Sequence, residues 1–471
     1  MLREIKENLI RELGDKNILI LGFGREGIDT FKFLRKLFPN KIIGIADKAK
    51  VISCKSQVSR LIGKDKKNRL HSGKDYLELM KKYDVVIKTP GIPIHLPEVE
   101  KAFREGKITS QTEIFLKNCP GTVVGITGTK GKSTTTSLIY NILKVAGPAR
   151  TRHNFADVGG SDAGGLKAHL VGNIGKPVLS SLFSASKNDF YVYELSCYQL
   201  YNVKKSPHIS VFLNVFPEHL DYYKNIEEYA ISKLNIALWQ DKEDFLVFNP
   251  QNDYLGKLIS KNPIKSRKID FNSVALGKII KASEIPLKGE FNLKNVRASI
   301  ATAKILGISD RNITKGIKTF KPLPHRLEYV GLYKGIKFYN DSLSTISETT
   351  MAAIDTFGKD LETIFLGGFD RNLTFESLAQ KIIKSNIKNL ILFPTTGEKI
   401  WQQIVSLNKG NGLQAFFVDN MKDGVSLAYK HTQKRKICLL STASTSFSIF
   451  KDYKEKGNLF KKYVKIFGKK N

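Results

Sequence analysis

The stretch Gly125-Ile126-Thr127-Gly128-Thr129-Lys130-Gly131-Lys132-Ser133-Thr134 decides the fold around it. An apolar run typical of a β-strand, residues 122–126, precedes its glycines, and residues 137–143 behind it have the apolar spacing of a helix. A glycine-rich turn between a strand and a helix directs several backbone N–H groups and the positive helix end at one point. The stretch therefore predicts an α/β fold organised around an anion-binding loop.

The end of this stretch indicates which anion the loop binds. We expect Lys132 to reach the terminal phosphates of a nucleotide, and the Ser133 or Thr134 hydroxyl to ligate Mg²⁺. The strict P-loop pattern has glycine where this chain has Ile126, so the match is to a variant loop. The alternative is an ordinary glycine-rich turn, but a Gly-Lys-Ser sequence between a strand and a helix favours polyphosphate binding.

Composition bounds the class of protein. A length of 471 residues suggests about three domains, and 41% hydrophobic residues are enough for real cores. Four cysteines without paired short spacing argue against a disulfide framework or a zinc site. Residues 1–7 are charged and the sequence has no apolar run long enough to span a membrane, so we expect a cytoplasmic protein without a membrane partner.

The formal net charge of +32 has two explanations. It could serve nucleic-acid binding. The lysines, however, are spread along the whole chain and form no dense basic tract, which favours solvated basic faces. We therefore expect no nucleic-acid partner, and such a surface also attracts anionic small substrates over long range.

Residues 1–118 are predicted to form a first domain of the dinucleotide-binding type. A buried-strand run precedes the glycines of Gly22-Phe23-Gly24-Arg25-Glu26-Gly27, and a second strand ends at Asp47, about 20 residues further on. Because strand, helix and acid all have the expected spacing, nucleotide binding is favoured over a purely structural turn. A later strand, 83–89, stops at the stiff loop Pro90-Gly91-Ile92-Pro93, at the edge where such sheets bind ligands.

Residues 119–322 form the predicted second domain. Within it, residues 148–166 are interpreted as a surface insertion. One strand delivers Glu194 beside the phosphate loop, where such folds hold a Mg²⁺ ligand. The next leads to His219, for which a metal or phosphate role is favoured over a packed loop histidine. Lys233 lies in a helical run, where the pattern alone predicts a solvated lysine.

Residues 323–471 form the predicted third domain. Strands such as 363–366 and 390–393 alternate with helices, and polar loops follow the strands, including Asn340-Asp341-Ser342 and 441–447. The whole chain is thus predicted to be α/β, with three doubly wound domains: a Rossmann-like first domain, a central P-loop domain and a Rossmann-like third domain.

Several short motifs resemble, in their order along the chain, those of the Mur ligases, the ATP-dependent amino-acid-adding enzymes of peptidoglycan precursor synthesis. The resemblance covers nearly the whole chain, and the first glycine loop together with Phe450-Lys451-Asp452-Tyr453 favours the glutamate-adding branch. The motifs are the phosphate loop, Gly172-Asn173-Ile174-Gly175, Tyr193-Glu194-Leu195-Ser196, His219-Leu220-Asp221, Leu323-Pro324-His325-Arg326, Asn340-Asp341-Ser342 and Gly367-Gly368.

By this resemblance, ATP phosphorylates the carboxylate of UDP-N-acetylmuramoyl-L-alanine, and the amine of glutamate, expected to be D-glutamate, attacks the acyl phosphate. The ATP-binding residues it implies are Gly128, Thr129, Lys130, Gly131, Lys132, Ser133, Thr134, Asn295, Arg326 and Asp341. The catalytic and Mg²⁺-binding residues it implies are Lys132, Ser133, Thr134, Glu194, His219 and Lys233, the last being the lysine that the family carbamylates to N6-carboxylysine.

The resemblance also assigns the other two substrates, to a protein expected to act as a monomer. The residues it places at the UDP substrate are Arg25, Glu26, Asp47, Lys48, Thr89, Pro90, Gly91, Asn173 and Ser196. Those it places at glutamate are Thr345, Arg371, Ser446, Phe447 and Tyr453. An arginine suits a carboxylate because it can bind bidentately.

The chain departs from the common family pattern on the glutamate side. Leu343 stands where a lysine is usual, while Thr442 replaces a proline and Ser448 an aspartate. These changes leave open a relative that adds L-glutamate to the same substrate.

Two other classes of protein compete with the ligase. A non-catalytic nucleotide-binding homologue predicts the loss of Glu194, His219 or Lys233, and all three are present. A basic P-loop protein associated with nucleic acid leaves the first and third domains unexplained.

Overall fold

A computed structural model of the chain describes residues 2–48, 67–147, 167–220, 222–371, 373–407 and 412–469. The predicted insertion, 148–166, lies outside the described residues. The chain divides into two compact units. Unit 1 consists of Met1–Ala282 with Lys294–Thr319, and unit 2 of Ser283–Leu293 with Phe320–Asn471.

The first sheet of unit 1 is parallel. Its strands are β1 Ile18–Leu21, β2 Ile43–Asp47, β3 Asn68–Ser72, β4 Val85–Lys88 and β5 Ile108–Thr109, in the order β3-β2-β1-β4-β5. Every residue of the central strand β1 is buried, as expected where helices cover both faces of a parallel sheet. Gly22, at φ +91°, follows β1, and a Cβ there would collide with Oγ1 of Thr89, so the close approach of two strand ends requires glycine.

The second sheet of unit 1 is also parallel and carries the phosphate loop. Its strands are β6 Thr122–Thr127, β7 Ala168–Gly172, β8 Phe190–Glu194, β9 Ile209–Phe212, β10 Phe245–Phe248 and β11 Arg267–Asp270, in the order β11-β10-β9-β6-β8-β7. Strand β6 lies between β9 and β8, so the residues that follow these three strands meet at one edge of the sheet.

Eleven α-helices are described between residues 2 and 318. They are α1 Leu2–Leu13, α2 Arg25–Leu37, α3 Pro97–Arg104, α4 Gln111–Asn118, α5 Lys132–Ala146, α6 Cys197–Leu200, α7 Ile226–Leu238, α8 Asp253–Ser260, α9 Leu276–Ile279, α10 Glu290–Ile305 and α11 Asp310–Lys318. Helix α5 begins earlier than residue 137, where its apolar spacing starts. Its first turn carries buried threonines. Because threonine is polar, an apolar pattern does not reveal that these residues belong to the helix.

A buried carboxylate joins the two sheets of unit 1. Asp29, on α2, accepts hydrogen bonds at Oδ2 from Gln111 Nε2 at 2.7 Å and from the backbone N–H groups of Leu179 and Ser180 at 3.1 and 3.3 Å. Tyr193 on β8 adds a second contact, with its hydroxyl 3.0 Å from Thr112 Oγ1. These contacts link segments about 80 to 150 residues apart in the chain.

Unit 2 contains a sheet with one antiparallel edge. Its strands are β12 Glu328–Tyr333, β13 Ile336–Asn340, β14 Leu361–Gly367, β15 Asn389–Phe393, β16 Gln414–Phe417 and β17 Ile437–Leu440, in the order β12-β13-β17-β14-β15-β16. Only the β12–β13 pair is antiparallel among the described strands of this sheet. The helices that follow residue 319 are α12 Ser347–Phe357, α13 Glu376–Ile383, α14 Thr396–Ser406, α15 Met421–His431 and α16 Tyr453–Lys469.

The predicted α/β class with three doubly wound sheets is confirmed. The domain boundaries at 118/119 and 322/323 stay predictions. In the described part of the chain, no helix combines the length and the apolar composition that a membrane crossing needs.

Candidate active site

The phosphate loop connects β6 to α5 through two glycines in the left-handed region. Gly128 has φ +150° and Gly131, the residue before the helix, has φ +88°. Side-chain-bearing residues rarely adopt these angles, so the glycines allow the chain to turn sharply into the helix. The first-turn N–H groups of a helix lack intrahelical partners, and here that turn begins directly at the loop. The geometry is that of the predicted anion site.

Asn214, which the sequence motifs did not single out, fixes the phosphate loop by hydrogen bonds to its backbone. Its Oδ1 accepts the N–H of Lys130 at 2.8 Å, its Nδ2 donates to the Lys130 carbonyl at 3.0 Å, and its own carbonyl accepts the N–H of Thr129 at 3.0 Å. Asn214 comes shortly after β9, the neighbour of β6. A rule that inspects every polar residue after a strand next to the loop would have found it.

Two lysines of the loop lie in different environments. Lys132 Nζ donates to the carbonyls of Gly128 and Thr129 at 2.8 and 3.0 Å, so its ammonium lies over the loop itself. Lys130 Nζ forms an ion pair with Glu218 at 2.7 Å. Burial raises the pKa of Glu218, but Lys130 outweighs it, and the net pKa of this carboxyl lies below its ordinary value. Lys132 is therefore placed to meet a phosphate, while Lys130 braces the loop against Glu218.

Gly131 lies against Asn295, the residue predicted for the adenine side. A Cβ on Gly131 would collide with Oδ1 of Asn295, which is buried on α10. The phosphate loop and Asn295 are thus brought together within unit 1, about 160 residues apart in the sequence.

Gly131→Ala is expected to raise the KM for ATP by about tenfold or more, because left-handed backbone costs about 1–2 kcal/mol for alanine and the collision with Asn295 adds to it. Steady-state phosphate release against ATP concentration measures the effect. Gly277→Ala is the matched control, since a Cβ at Gly277 meets no atom within 4 Å. An unchanged KM for ATP in Gly131→Ala would contradict the assigned role of the loop.

Glu194 and His219 lie at the strand ends on either side of the loop. Glu194 ends β8 in register with Ile126 and is buried, with 3% of its surface exposed. His219 has φ +59°, unusual for a residue with a side chain, and its ring centroid is 5.2 Å from that of Tyr198 and 6.1 Å from that of Tyr229. The structure thus places both residues beside the loop, as the strand-end argument expected.

The pattern-based prediction that Lys233 is a solvated lysine is wrong. Its side chain is 1% exposed, because α7 packs its lysine-bearing face onto the β6–β9 part of the sheet. Nζ donates to the Gly128 carbonyl at 3.1 Å and lies 4.8 Å from the centroid of the Tyr229 ring. Burial, followed by the charge of Lys132, lowers the pKa of Lys233 to about 7. A substantial neutral fraction near neutral pH makes this amine a nucleophile.

The donors around the loop suit Mg²⁺. Glu194, Ser133 and Thr134 offer hard oxygen atoms, which this ion prefers. Among the described residues, no group of three or more His, Cys, Asp or Glu side chains could hold a metal ion. One carboxylate with two hydroxyls fits an ion bound by one or two carboxylates and completed by water and substrate phosphates, which is how Mg²⁺ binds in nucleotide sites.

A cavity of about 490 Å³ opens between the two sheets of unit 1. It includes eight of the nine residues predicted for the UDP substrate: Arg25, Glu26, Asp47, Lys48, Thr89, Pro90, Gly91 and Asn173. Ser196, the ninth, is not among its lining residues. Its hydroxyl instead accepts the N–H of Gln199 at 3.3 Å and caps helix α6.

Polar contacts shape this cavity across both sheets. Arg25 donates to the carbonyls of Asn173, at 3.2 Å, and Gly175. Gln199 Nε2 donates to Glu26 at 2.7 Å, and burial raises the pKa of Glu26 to about 7 despite that bond. Gln199 was missed because its partner lies 173 residues away. Asn173 donates its N–H to the Glu194 carbonyl at 3.3 Å, so the cavity ends next to the strand that carries Glu194.

Asp341 in unit 2 follows β13 and is buried. It accepts hydrogen bonds from Leu327 N–H at 3.2 Å, from Ser344 Oγ at 2.5 Å and from Ser441 Oγ at 3.0 Å. Burial raises the pKa of Asp341 to about 6, opposed by these bonds and by Arg326. The predicted ATP contacts Arg326 and Asp341 therefore lie within electrostatic reach of each other.

Most of the predicted glutamate residues lie on loops of unit 2, and Tyr453 begins helix α16. Phe369 N–H donates to the Thr445 carbonyl at 2.9 Å, which joins the loop of Arg371 to that of Ser446. Ser342 Oγ donates to the Tyr453 carbonyl at 2.9 Å. The remaining members differ in exposure: Ser446 is buried, Thr345 is half-buried, and Arg371 and Phe447 are exposed.

Comparison with known proteins finds relatives that match nearly the whole chain. The family described as Mur ligase middle domain matches residues 126–303. The chain is 33% identical over 478 residues to the UDP-N-acetylmuramoylalanine–D-glutamate ligase of Acetivibrio thermocellus, covering 96% of this chain and 97% of that protein. It is 31% identical over 468 residues to the enzyme of the same name from Clostridium tetani, covering 96% and 97%.

Two solved structures resemble the fold over most of its length. One is MurF ligase from Thermotoga maritima in complex with ADP, with a TM-score of 0.55 at 14% identity, covering 96% of this chain and 95% of that one. The other is UDP-N-acetylmuramate-alanine ligase MurC from the same organism, with a TM-score of 0.54 at 15% identity, covering 96% and 99%. At these identities the likeness extends to the fold alone.

Proposed function

The chain belongs to the Mur ligase family, and on that premise we propose that it is an ATP-dependent ligase that adds D-glutamate to UDP-N-acetylmuramoyl-L-alanine in peptidoglycan precursor synthesis. One observation carries the proposal furthest. The cavity lined by eight of the nine predicted UDP-substrate residues ends at Asn173, whose N–H donates to the carbonyl of Glu194 beside the phosphate loop. A substrate bound there would have its reacting end next to the nucleotide phosphates.

The cavity suits a uridine diphosphate. In such sheets the glycine turn after the first strand and the following helix end bind a diphosphate, and an acid about 20 residues on binds the sugar or base. Gly24 and Asp47 occupy these positions in the cavity wall, and Lys48 adds positive charge. Asp47 is preorganised, since its Oδ2 accepts the N–H of Phe23 at 2.6 Å.

The proposed chemistry has two steps. An oxygen of the substrate carboxylate attacks the γ-phosphorus of ATP, and the bond to the β-bridging oxygen breaks to release ADP and leave an acyl phosphate. The amine of glutamate then attacks the carbonyl carbon, loses a proton and forms the amide as inorganic phosphate departs. Because phosphorylation supplies the leaving group, the protein mainly has to position anionic partners and offset their charge.

The residues around the loop are suited to that task. Lys132 offsets charge on the transferred phosphoryl group, and Ser133, Thr134 and Glu194 would hold Mg²⁺, with His219 as a further ligand. When bound, Mg²⁺ supplies charge neutralisation at the phosphate oxygens. We propose that Lys233 reacts with CO₂ to give N6-carboxylysine, since its amine is buried, is partly neutral and lies at the loop.

Unit 2 carries the residues predicted for glutamate and two of those predicted for ATP. Arg371 and Ser446 are proposed to bind the glutamate carboxylates, with Thr345, Phe447 and Tyr453 around them, and Arg326 and Asp341 to bind ATP. We further propose three domains with the predicted boundaries, a monomeric enzyme that needs neither nucleic acid nor a membrane, and a cytoplasmic location where ATP and UDP-linked precursors are found.

The purified protein is expected to release phosphate from ATP only when Mg²⁺, UDP-N-acetylmuramoyl-L-alanine and D-glutamate are all present. Parallel reactions with D-glutamate and L-glutamate, analysed by mass spectrometry of the UDP-linked product, decide which amino acid is added. Product only from L-glutamate would assign the chain to an L-glutamate-adding branch. No product from either would reject the proposed function.

A further inference from the structure

A buried lysine lies in unit 2, outside every residue set assigned above. Lys456, in the first turn of α16, is 1% exposed. Its Nζ donates to Thr442 Oγ1 at 2.6 Å, and its charge interacts with the buried carboxylate of Asp341. Local sequence does not predict this burial, because the lysine lies in a lysine-rich helix whose other lysines are mostly exposed.

Burying such a lysine destabilises the folded state. A buried ammonium loses its hydration, and one hydroxyl acceptor does not replace it. Burial accordingly lowers the pKa of Lys456 to about 7, and Asp341 is the group that opposes this shift. An unbranched apolar side chain of the same length would fill the space at lower cost. Its presence therefore needs an explanation other than stability.

The lysine connects two loops with different predicted substrates. Through Asp341 it reaches the nucleotide side, where Ser441 Oγ donates to the Asp341 carboxylate at 3.0 Å. Through Thr442 it reaches the glutamate side, since Thr442 Oγ1 also donates to the Ser444 carbonyl at 2.9 Å within the loop that continues to Ser446. A proline at position 442 would have no hydroxyl for either bond.

The start of α16 is packed tightly against the same loops. A Cβ on Gly457 would collide with His325 Nδ1 and would lie 2.5 Å from Ser342 Oγ, so the helix can approach this closely only with glycine there. Ser342 also donates to the Tyr453 carbonyl. This close packing fixes the start of α16, and with it the position of Lys456 relative to Asp341 and Thr442.

We infer that Lys456 is a positioning residue for the ligation, a buried side chain that holds Asp341 and the loop 441–446 in one arrangement so that the nucleotide and glutamate sides of unit 2 are set together. The inference rests on the proposed function. Lys456 acts through Asp341 and Thr442 and does not itself contact the reacting atoms. Leu343 stands where the family usually has a lysine, two residues after Asp341. In this chain Lys456 lies where its positive charge can offset that aspartate.

Lys456→Met is expected to lower kcat/KM for both ATP and glutamate, each by about 10²-fold, because small displacements of positioned groups have effects of that size. Its melting temperature is expected to stay well above the assay temperature, because Asp341 keeps three hydrogen bonds and its raised pKa lets it take up a proton once the lysine is gone. Lys465→Met, an exposed lysine on the same helix, is the matched control and should match the wild type. Lys456→Arg keeps the charge and should recover part of the lost activity.

A second pair of variants tests the connection without touching the charge. Thr442→Val removes the hydroxyl at constant shape and should lower both kcat/KM values, whereas Thr442→Ser keeps the hydroxyl and should not. In the Lys456→Met background, Thr442→Val should cause little further loss, because the two side chains act as one unit.

The outcomes separate the inference from the function it rests on. A wild-type protein that forms no product rejects the proposed function itself. An active wild type with Lys456→Met as active as Lys465→Met overturns the inference alone. So does a Lys456→Met protein that is unfolded at the assay temperature, because that result assigns Lys456 to folding.

Discussion

Lys132→Ala is expected to lower ATP-dependent phosphate release by on the order of 10²- to 10³-fold in the presence of UDP-N-acetylmuramoyl-L-alanine and glutamate. The lysine ammonium lies over the phosphate loop, where it can offset the charge that develops on the transferred phosphoryl group. Removing one preorganised electrostatic contact of this kind costs about 2.7–4 kcal/mol. A coupled assay for inorganic phosphate, at saturating substrates, measures the loss.

Lys144→Ala provides the control for this loss. Lys144 lies on the same helix, α5, but its side chain is exposed. Lys144→Ala removes the same charge and the same side-chain length as Lys132→Ala, so any effect of overall charge appears in both variants. Turnover by Lys132→Ala at the level of Lys144→Ala would refute the assignment of the phosphate site.

Lys233→Ala is expected to be inactive and to regain part of its activity when short carboxylic acids such as acetate are added. If Lys233 carries a carbamate, the variant loses a carboxylate and leaves space next to Gly128, where a small acid can supply the missing oxygens. The measurement is phosphate release as a function of acid concentration. Incubation of the wild type with ¹³C-bicarbonate should also give a carbamate NMR signal that the variant lacks.

Glu227→Ala is the control for the lysine variant. Glu227 is exposed on the first turn of the same helix, α7, so its replacement should leave both activity and the response to acetate unchanged. A Lys233→Ala protein that stays fully active without added acid, or that never responds to it, would reject the carbamate.

The phosphate loop illustrates what sequence can predict well. Its function depends on residues that are neighbours in the chain, namely two glycines at special backbone angles and a lysine at the start of a helix. Glu194 could be predicted for a related reason: it ends a strand beside the loop, and parallel strands bring their ends to one edge. The strands of the sheet that brings these residues together are apolar runs of ordinary strand length, so they could be predicted as well.

Lys233 and Gln199 show where such prediction ends. The burial of a lysine depends on which helix face packs onto the sheet, and α7 is so widely buried that its polar and apolar residues show little periodicity. Gln199 matters because of Glu26, a partner 173 residues away. Contacts of that range have no local signature, so only the folded chain reveals them.

The carboxylate of Asp29 has a consequence for how this chain could have been assembled from modules. Its hydrogen-bond donors come from both sides of residue 118: Gln111 before it, and Leu179 and Ser180 after it. Recombination at residue 118 would place this carboxylate opposite the corresponding turn of another protein, in place of the turn at Leu179 and Ser180. Gln111 would remain as a donor, but the two backbone donors would be lost, and lost partners of a buried polar group cost about 1–3 kcal/mol, or more for a charged one. The two sheets of unit 1 are therefore expected to be inherited together, although each has the topology of a complete domain.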